Sequence, residues 1–87
     1  MEKYSLVFKK SVSKDLRNIP NKDVKRILKR IDLLLENPRA KGCVKLSSQE
    51  KYRARQGVYR IVYEIQDYEL IVSVVKIAHR GAVYKSS

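Results

Sequence analysis

Apolar residues along this chain change their spacing twice, and each change marks a boundary between kinds of element. Tyr4-Ser5-Leu6-Val7-Phe8 alternates among strand-forming residues, the two-residue period of a β-strand. Val12, Leu16 and Ile19 then fall four and three apart, which predicts a short helix over about residues 11–18, stopped by Pro20. Asn21 is placed to cap a second helix. Val24, Ile27, Leu28, Ile31, Leu34 and Leu35 form one helical stripe, with Lys25, Arg26, Lys29, Arg30 and Asp32 on the other faces, and the pattern ends at Asn37-Pro38.

After a polar connection over residues 38–50 the period returns to two. Val44-Lys45-Leu46 reads as a short lead-in strand, followed by strands over residues 52–55, 58–65 and 70–78. Gln56-Gly57 and Asp67-Tyr68 stand where hairpins turn. The order predicts an α+β domain: an N-terminal strand, a helical hairpin, then an antiparallel β-meander with the helices packed on one sheet face. With 87 residues there is apolar surface for one core, so residues 1–87 are expected to form a single domain.

Alternation sorts the sheet into two faces. With Gln56-Gly57 as a two-residue turn, Arg53 stands opposite Arg60, and with Asp67-Tyr68 as the next, Arg60 stands opposite Val75. Tyr59, Ile61, Tyr63, Ile65, Leu70, Val72 and Val74 then share an apolar face suited to the helices. Arg53, Arg55, Arg60, Val62, Glu64, Ser73, Val75, Ile77 and His79 share the other. Like charges placed directly across a strand pair destabilise it, so this arginine placement is poor as structure and sensible as an anion site.

Composition names the anion. The net charge is +11, and so much charge on so small a body repels itself unless a polyanion partner offsets it, with nucleic acid the leading choice. No apolar run approaches bilayer length, and Met1-Glu2-Lys3-Tyr4 lacks signal-peptide architecture, so a cytoplasmic location and no membrane partner are expected. One cysteine, Cys43, and one histidine, His79, cannot make an internal disulfide or a usual zinc site, so no metal or other cofactor is expected.

Three guanidinium groups on one face can hold a phosphate by paired hydrogen bonds and stabilise the extra charge of a pentacoordinate transition state. Phosphodiester cleavage also needs a proton taken from the attacking hydroxyl and one given to the leaving oxygen. His79 and Tyr84 are the candidates. Each residue also has a plainer reading: a histidine at a strand end is commonly surface, a tyrosine commonly packs its ring, and charged edge strands resist aggregation.

The run from Tyr52-Arg53-Ala54-Arg55-Gln56-Gly57-Val58-Tyr59-Arg60 to Ile65, with Val75-Lys76-Ile77-Ala78-His79-Arg80-Gly81-Ala82-Val83-Tyr84, resembles the RelE/ParE toxin superfamily. The first strand, the helical hairpin and the Asn37-Pro38 ending follow the same order, so the resemblance covers nearly the whole chain. It implies the toxin of a type II toxin–antitoxin pair, of the RelE type: a metal-independent endoribonuclease that enters the ribosomal A site and cuts messenger RNA by 2′-hydroxyl attack. It assigns Arg60 to the scissile phosphate and matches His79, Arg80 and Tyr84 to the terminal catalytic motif. Arg53 and Arg55 stand where RelE carries lysines, and Lys45 stands where one ribonuclease branch has a glutamate base, leaving it as a further phosphate contact. Arginine cannot lose a proton near neutral pH, so proton abstraction falls to Tyr84, His79 or neither. A cognate antitoxin, acidic or amphipathic where it wraps the toxin, is implied, and operator DNA is reached only through it.

Two rivals share these features. A ParE-like toxin has the same fold but inhibits DNA gyrase without nuclease chemistry. A general basic RNA- or DNA-binding domain would keep the charge, yet it calls for exposed aromatic platforms, whereas Tyr59 and Tyr63 fall on the expected core face.

Overall fold

A computed structural model describes residues 3–46 and 51–79. Strand β1 (Ser5–Phe8) leads into helices α1 (Lys10–Arg17) and α2 (Asn21–Glu36), and strands β2 (Val44–Lys45), β3 (Lys51–Gln56), β4 (Tyr59–Gln66) and β5 (Ile71–His79) come after them. Together they make an α+β fold with one five-stranded mixed sheet in the order β1-β5-β4-β3-β2. β1 runs parallel to β5 and every other pairing is antiparallel. Pro20 itself is the residue before the first turn of α2, with no side-chain cap, so Asn21 lies inside the helix and does not cap it.

The core forms where one helical stripe meets one sheet face. Val12 of α1 and Ile27, Ile31 and Leu34 of α2 are fully buried against Ile61, Tyr63, Val72 and Val74. Burying side chains of this size stabilises by about 1.5–3 kcal/mol each before the entropy of ordering is set against it. Because β4 alternates strictly, the same strand that supplies Tyr59, Ile61, Tyr63 and Ile65 to the core presents Arg60, Val62 and Glu64 on its other side.

Both hairpins turn one residue later than their sequences imply. Gln56 pairs with Tyr59 across Gly57-Val58, and Gly57 takes a φ of +60° at the first central position, where a two-residue hairpin of the II′ kind needs glycine. The next connection spans four residues between Gln66 and Ile71 and closes with Leu70 at φ 54°. Each change moves the register by an even step, so neither moves a side chain to the opposite face.

A β-bulge does. Tyr63 pairs with Val74 and Val62 with Lys76, which leaves Val75 as an extra residue on β5 and inverts the alternation beyond it. Ile77 therefore pairs with Ile61 in the core, 2% exposed, and His79 pairs with Tyr59. The bulge lies where β1 has ended and α1 takes over the β5 edge: Asp15 accepts the Ile77 amide at 3.2 Å and the Lys76 ammonium at 3.1 Å.

At the far end of the sheet a polar cluster ties the segment after α2 to the β4–β5 turn. Arg39 donates two hydrogen bonds to Asp67, at 3.0 and 2.8 Å, and a third to the Tyr52 hydroxyl, while Tyr4 donates to the same Asp67 carboxylate. Tyr52 stacks on its cross-strand partner Tyr63, which is wholly buried and donates to the Pro38 carbonyl. Burial pushes the Tyr63 phenol far above its usual pKa, so it stays a donor.

The Arg39 contacts, then Tyr4, hold the Asp67 carboxyl below the usual carboxylate range. An unfolded chain therefore takes up that proton first as pH falls, and the stabilisation is present above about pH 4 and lost as pH drops through the lowered folded value. The melting-temperature gap between wild type and Asp67→Asn should be wide at pH 7 and shrink at pH 3. Melts with equal gaps at both pH values would remove Asp67 from the acid response.

Candidate nucleic-acid interface

The face away from the helices is built chiefly by β3 and β4. Lys51, Arg53 and Arg55 recur at every second residue of β3, and Arg60, Val62 and Glu64 at every second residue of β4. Arg55 and Arg60 are direct cross-strand partners, Arg53 pairs with Val62, and Lys51 pairs with Glu64. All three arginines thus share the face, as alternation predicts, but Arg55 and not Arg53 is the residue opposite Arg60. The even register step of the Gly57-Val58 turn is the reason.

Directly opposed residues have Cβ atoms only about 4.5–5.5 Å apart, so the Arg55–Arg60 pair costs stability unless an anion bridges it. Arg55 is exposed while Arg53 and Arg60 are half-buried, and the Arg60 Nε is shut off from solvent. This grading suits phosphate recognition. A guanidinium held by its surroundings keeps a fixed fork direction, and the exposed one reaches outward.

Two residues expected at this site lie elsewhere. Lys45 pairs with Tyr52 and so belongs to the helix side of β2, whereas Val44 pairs with Arg53 and flanks the arginines. His79 follows the bulge to the helix side, where its ring meets Tyr59 edge-on with centroids 5.4 Å apart. Tyr59 in turn donates to Asp23 at 3.4 Å, and burial first, then the Asp23 carboxylate, holds its phenol above the usual range. A shallow hollow of about 180 Å³ between the hairpin and the start of α2 adjoins this group, lined by Asp23, Arg26, Gln56, Gly57, Val58 and Tyr59. Arg80 and Tyr84 lie outside the described residues.

Lys51 is the addition that sequence reasoning missed. It stands one beat before Arg53 in the same alternation, so extending β3 by one residue would have found it. Among the described residues no group of three or more histidine, cysteine, aspartate or glutamate side chains could hold a metal ion, and no helix is long and apolar enough to cross a membrane.

Electrostatics of this kind can be read in solution. Removing one phosphate contact lowers the slope of log affinity against log salt by about 0.7 for a single strand. Arg55→Ala should weaken binding of a single-stranded oligonucleotide and lower that slope by about this amount. An unchanged slope would take Arg55 out of phosphate contact.

Known proteins share this fold. A family model described as the ParE toxin of the type II toxin–antitoxin system parDE matches residues 6–84. A putative toxin RelE1 of Methanocaldococcus jannaschii is 31% identical over 88 residues, covering 97% of this chain and 98% of that protein. The RelE–RelB complex of Pyrococcus horikoshii superposes with a TM-score of 0.76 at 27% identity, over 94% of this chain and 100% of the matched one. The intact RelBE toxin–antitoxin complex of E. coli gives a TM-score of 0.77 at 25% identity, over 87% and 95%.

Proposed function

The chain belongs to the RelE/ParE family, the toxins of type II toxin–antitoxin systems, and from that premise we propose that it is a ribosome-dependent endoribonuclease that cuts messenger RNA in the A site. The observation that carries this reading is the convergence of Arg53, Arg55 and Arg60 on the sheet face opposite α1 and α2, with Arg55 and Arg60 directly opposed. Arg60 binds the scissile phosphate and stabilises its developing charge, and Arg53 and Arg55 hold the strand. The 2′-hydroxyl gives up its proton, its oxygen attacks the adjacent phosphorus, and the bond to the 5′ oxygen breaks. A cyclic phosphate remains on one fragment and a protonated 5′-hydroxyl on the other. This step needs positioning and charge stabilisation more than a metal or a water nucleophile.

The proton carriers come from the terminal motif. With His79 paired to Tyr59 on the helix side, Tyr84 becomes the favoured base, and Arg80 joins the phosphate contacts by its place in the same motif. Lys45, on the helix side of β2, reaches RNA outside the arginine cluster. The partners are messenger RNA on the ribosome and an antitoxin of the RelB kind, as in the complexes of the relatives, with operator DNA bound only through the antitoxin. Its overlap with the arginine face would silence the toxin, and the +11 charge favours fast association with an acidic wrapping segment.

A second reading is kept by two observations. The matching family model is named for parDE toxins, and His79 stands off the arginine face. Under it the chain inhibits DNA gyrase by binding alone.

The deciding experiment incubates the purified chain with messenger RNA on programmed ribosomes, and with the same RNA alone, mapping cuts by primer extension. Wild type should cut at the A-site codon only when ribosomes are present. Arg60→Ala should slow single-turnover cleavage by about 100-fold or more, the scale seen when one transition-state donor is removed. Tyr84→Phe should change the pH profile, and His79→Ala should not. Intact RNA with a folded wild-type protein, together with blocked supercoiling in a gyrase assay, would establish the inhibitor reading.

A further inference from the structure

The arginine face is not uniformly positive. Among the described strand residues on that face, Glu64 is the one carboxylate. Its neighbours across the sheet are Lys51 on β3 and the buried Ser73 on β5. The Lys51 ammonium stands 4.0 Å from the Glu64 carboxylate, the outer limit of an ion pair, with the two side chains 41% and 31% exposed. So open a pair contributes little to stability, and structure alone gives a weak reason for a carboxylate here.

Its position relative to the arginines is more informative. Glu64 and Arg60 are four residues apart on β4, so their Cα atoms are separated by roughly 13 Å. Arg53 pairs with Val62, midway between them, and is diagonal to both at about 7 Å. The face therefore grades along β4 from two opposed arginines near the hairpin tip, through Arg53, to a carboxylate. A polyanionic strand lying along it meets net positive charge at the arginine end and, where Lys51 and Glu64 offset each other, little net charge at the other. A carboxylate accepts hydrogen bonds, and an unpaired base offers the exocyclic amines of cytosine, adenine and guanine and the ring N–H of guanine and uracil; the uracil N–H is flanked by two carbonyl oxygens that repel a carboxylate, so an exocyclic amine is the better match.

We propose that Glu64 reads the base: it accepts a hydrogen bond from an exocyclic amine of the nucleotide beside the arginine-held phosphate, favouring cytosine, adenine or guanine over uracil there. This specificity role rests on the RNA reading of the face, and it needs no proton transfer by Glu64.

The test is equilibrium binding of short 2′-O-methyl RNA oligonucleotides, which cannot be cut, differing only by cytosine or uracil at one position scanned along the strand. Wild type should prefer cytosine about tenfold at one position, the discrimination of a good polar base contact. Glu64→Ala should melt as wild type does and bind the cytosine and uracil strands equally. Arg60→Ala should weaken both strands alike and keep the preference. Equal binding of the two strands by wild type at every position, or a preference that survives Glu64→Ala, would overturn the proposal. Because the readout is binding, a toxin that leaves messenger RNA intact on ribosomes but shows the Glu64-dependent preference would refute the nuclease reading and leave base recognition standing.

Discussion

Everything on the candidate interface depends on β4 being held by its apolar side. Tyr59, Ile61, Tyr63 and Ile65 are locked against α1 and α2, and a strand buried on one face cannot slip by a single residue without carrying its whole hydrophobic set into water. The alternation that fixes the core therefore also fixes the directions of Arg60, Val62 and Glu64. β3 is held to β4 by the Tyr52–Tyr63 stack on the same side, so Arg53 and Arg55 inherit their placement from aromatic packing on the opposite face.

This division of labour lets the protein carry an arrangement that its own folding opposes. Two arginines directly opposed across a strand pair, within a chain of net charge +11, raise the free energy of the isolated molecule. The core offsets that cost at a distance, and an anion relieves it on binding. Any polyanion would meet this requirement, whether a nucleic-acid strand or an acidic protein segment, and under the proposed function the two would compete for this surface.

How much of this was legible in the sequence can be traced to particular residues. The helical stripe from Val24 to Leu35 and the alternation of β4 are long periodic signals, and both stand in the structure, except that Leu28 of the stripe is 40% exposed. The hairpin turns were each misplaced, because a dipeptide such as Gln56-Gly57 shows where glycine is needed but not whether it takes the first or second central position. Those errors were harmless since the register moved by an even step. The bulge at Val75 was invisible: nothing in Ser73-Val74-Val75-Lys76-Ile77 marks an extra residue, and its cause lies far back along the chain in α1, where Asp15 takes the Ile77 amide. Nor could the sequence place Lys45 on either face, because a two-residue strand has too short a pattern to declare it.

The bulge also settles what the sheet gains by breaking its own rule. Had β5 alternated strictly, Ile77 would face the arginines and leave Ile61 without its cross-strand partner in the core. Inserting Val75 turns Ile77 inward, 2% exposed, and brings His79 beside Tyr59, so the apolar layer runs on to the end of the sheet. The same step places Ala78, the smallest side chain of this stretch, opposite Arg60. The irregularity thus completes the core beneath Tyr59, and α1 secures it by occupying the edge that β1 vacates.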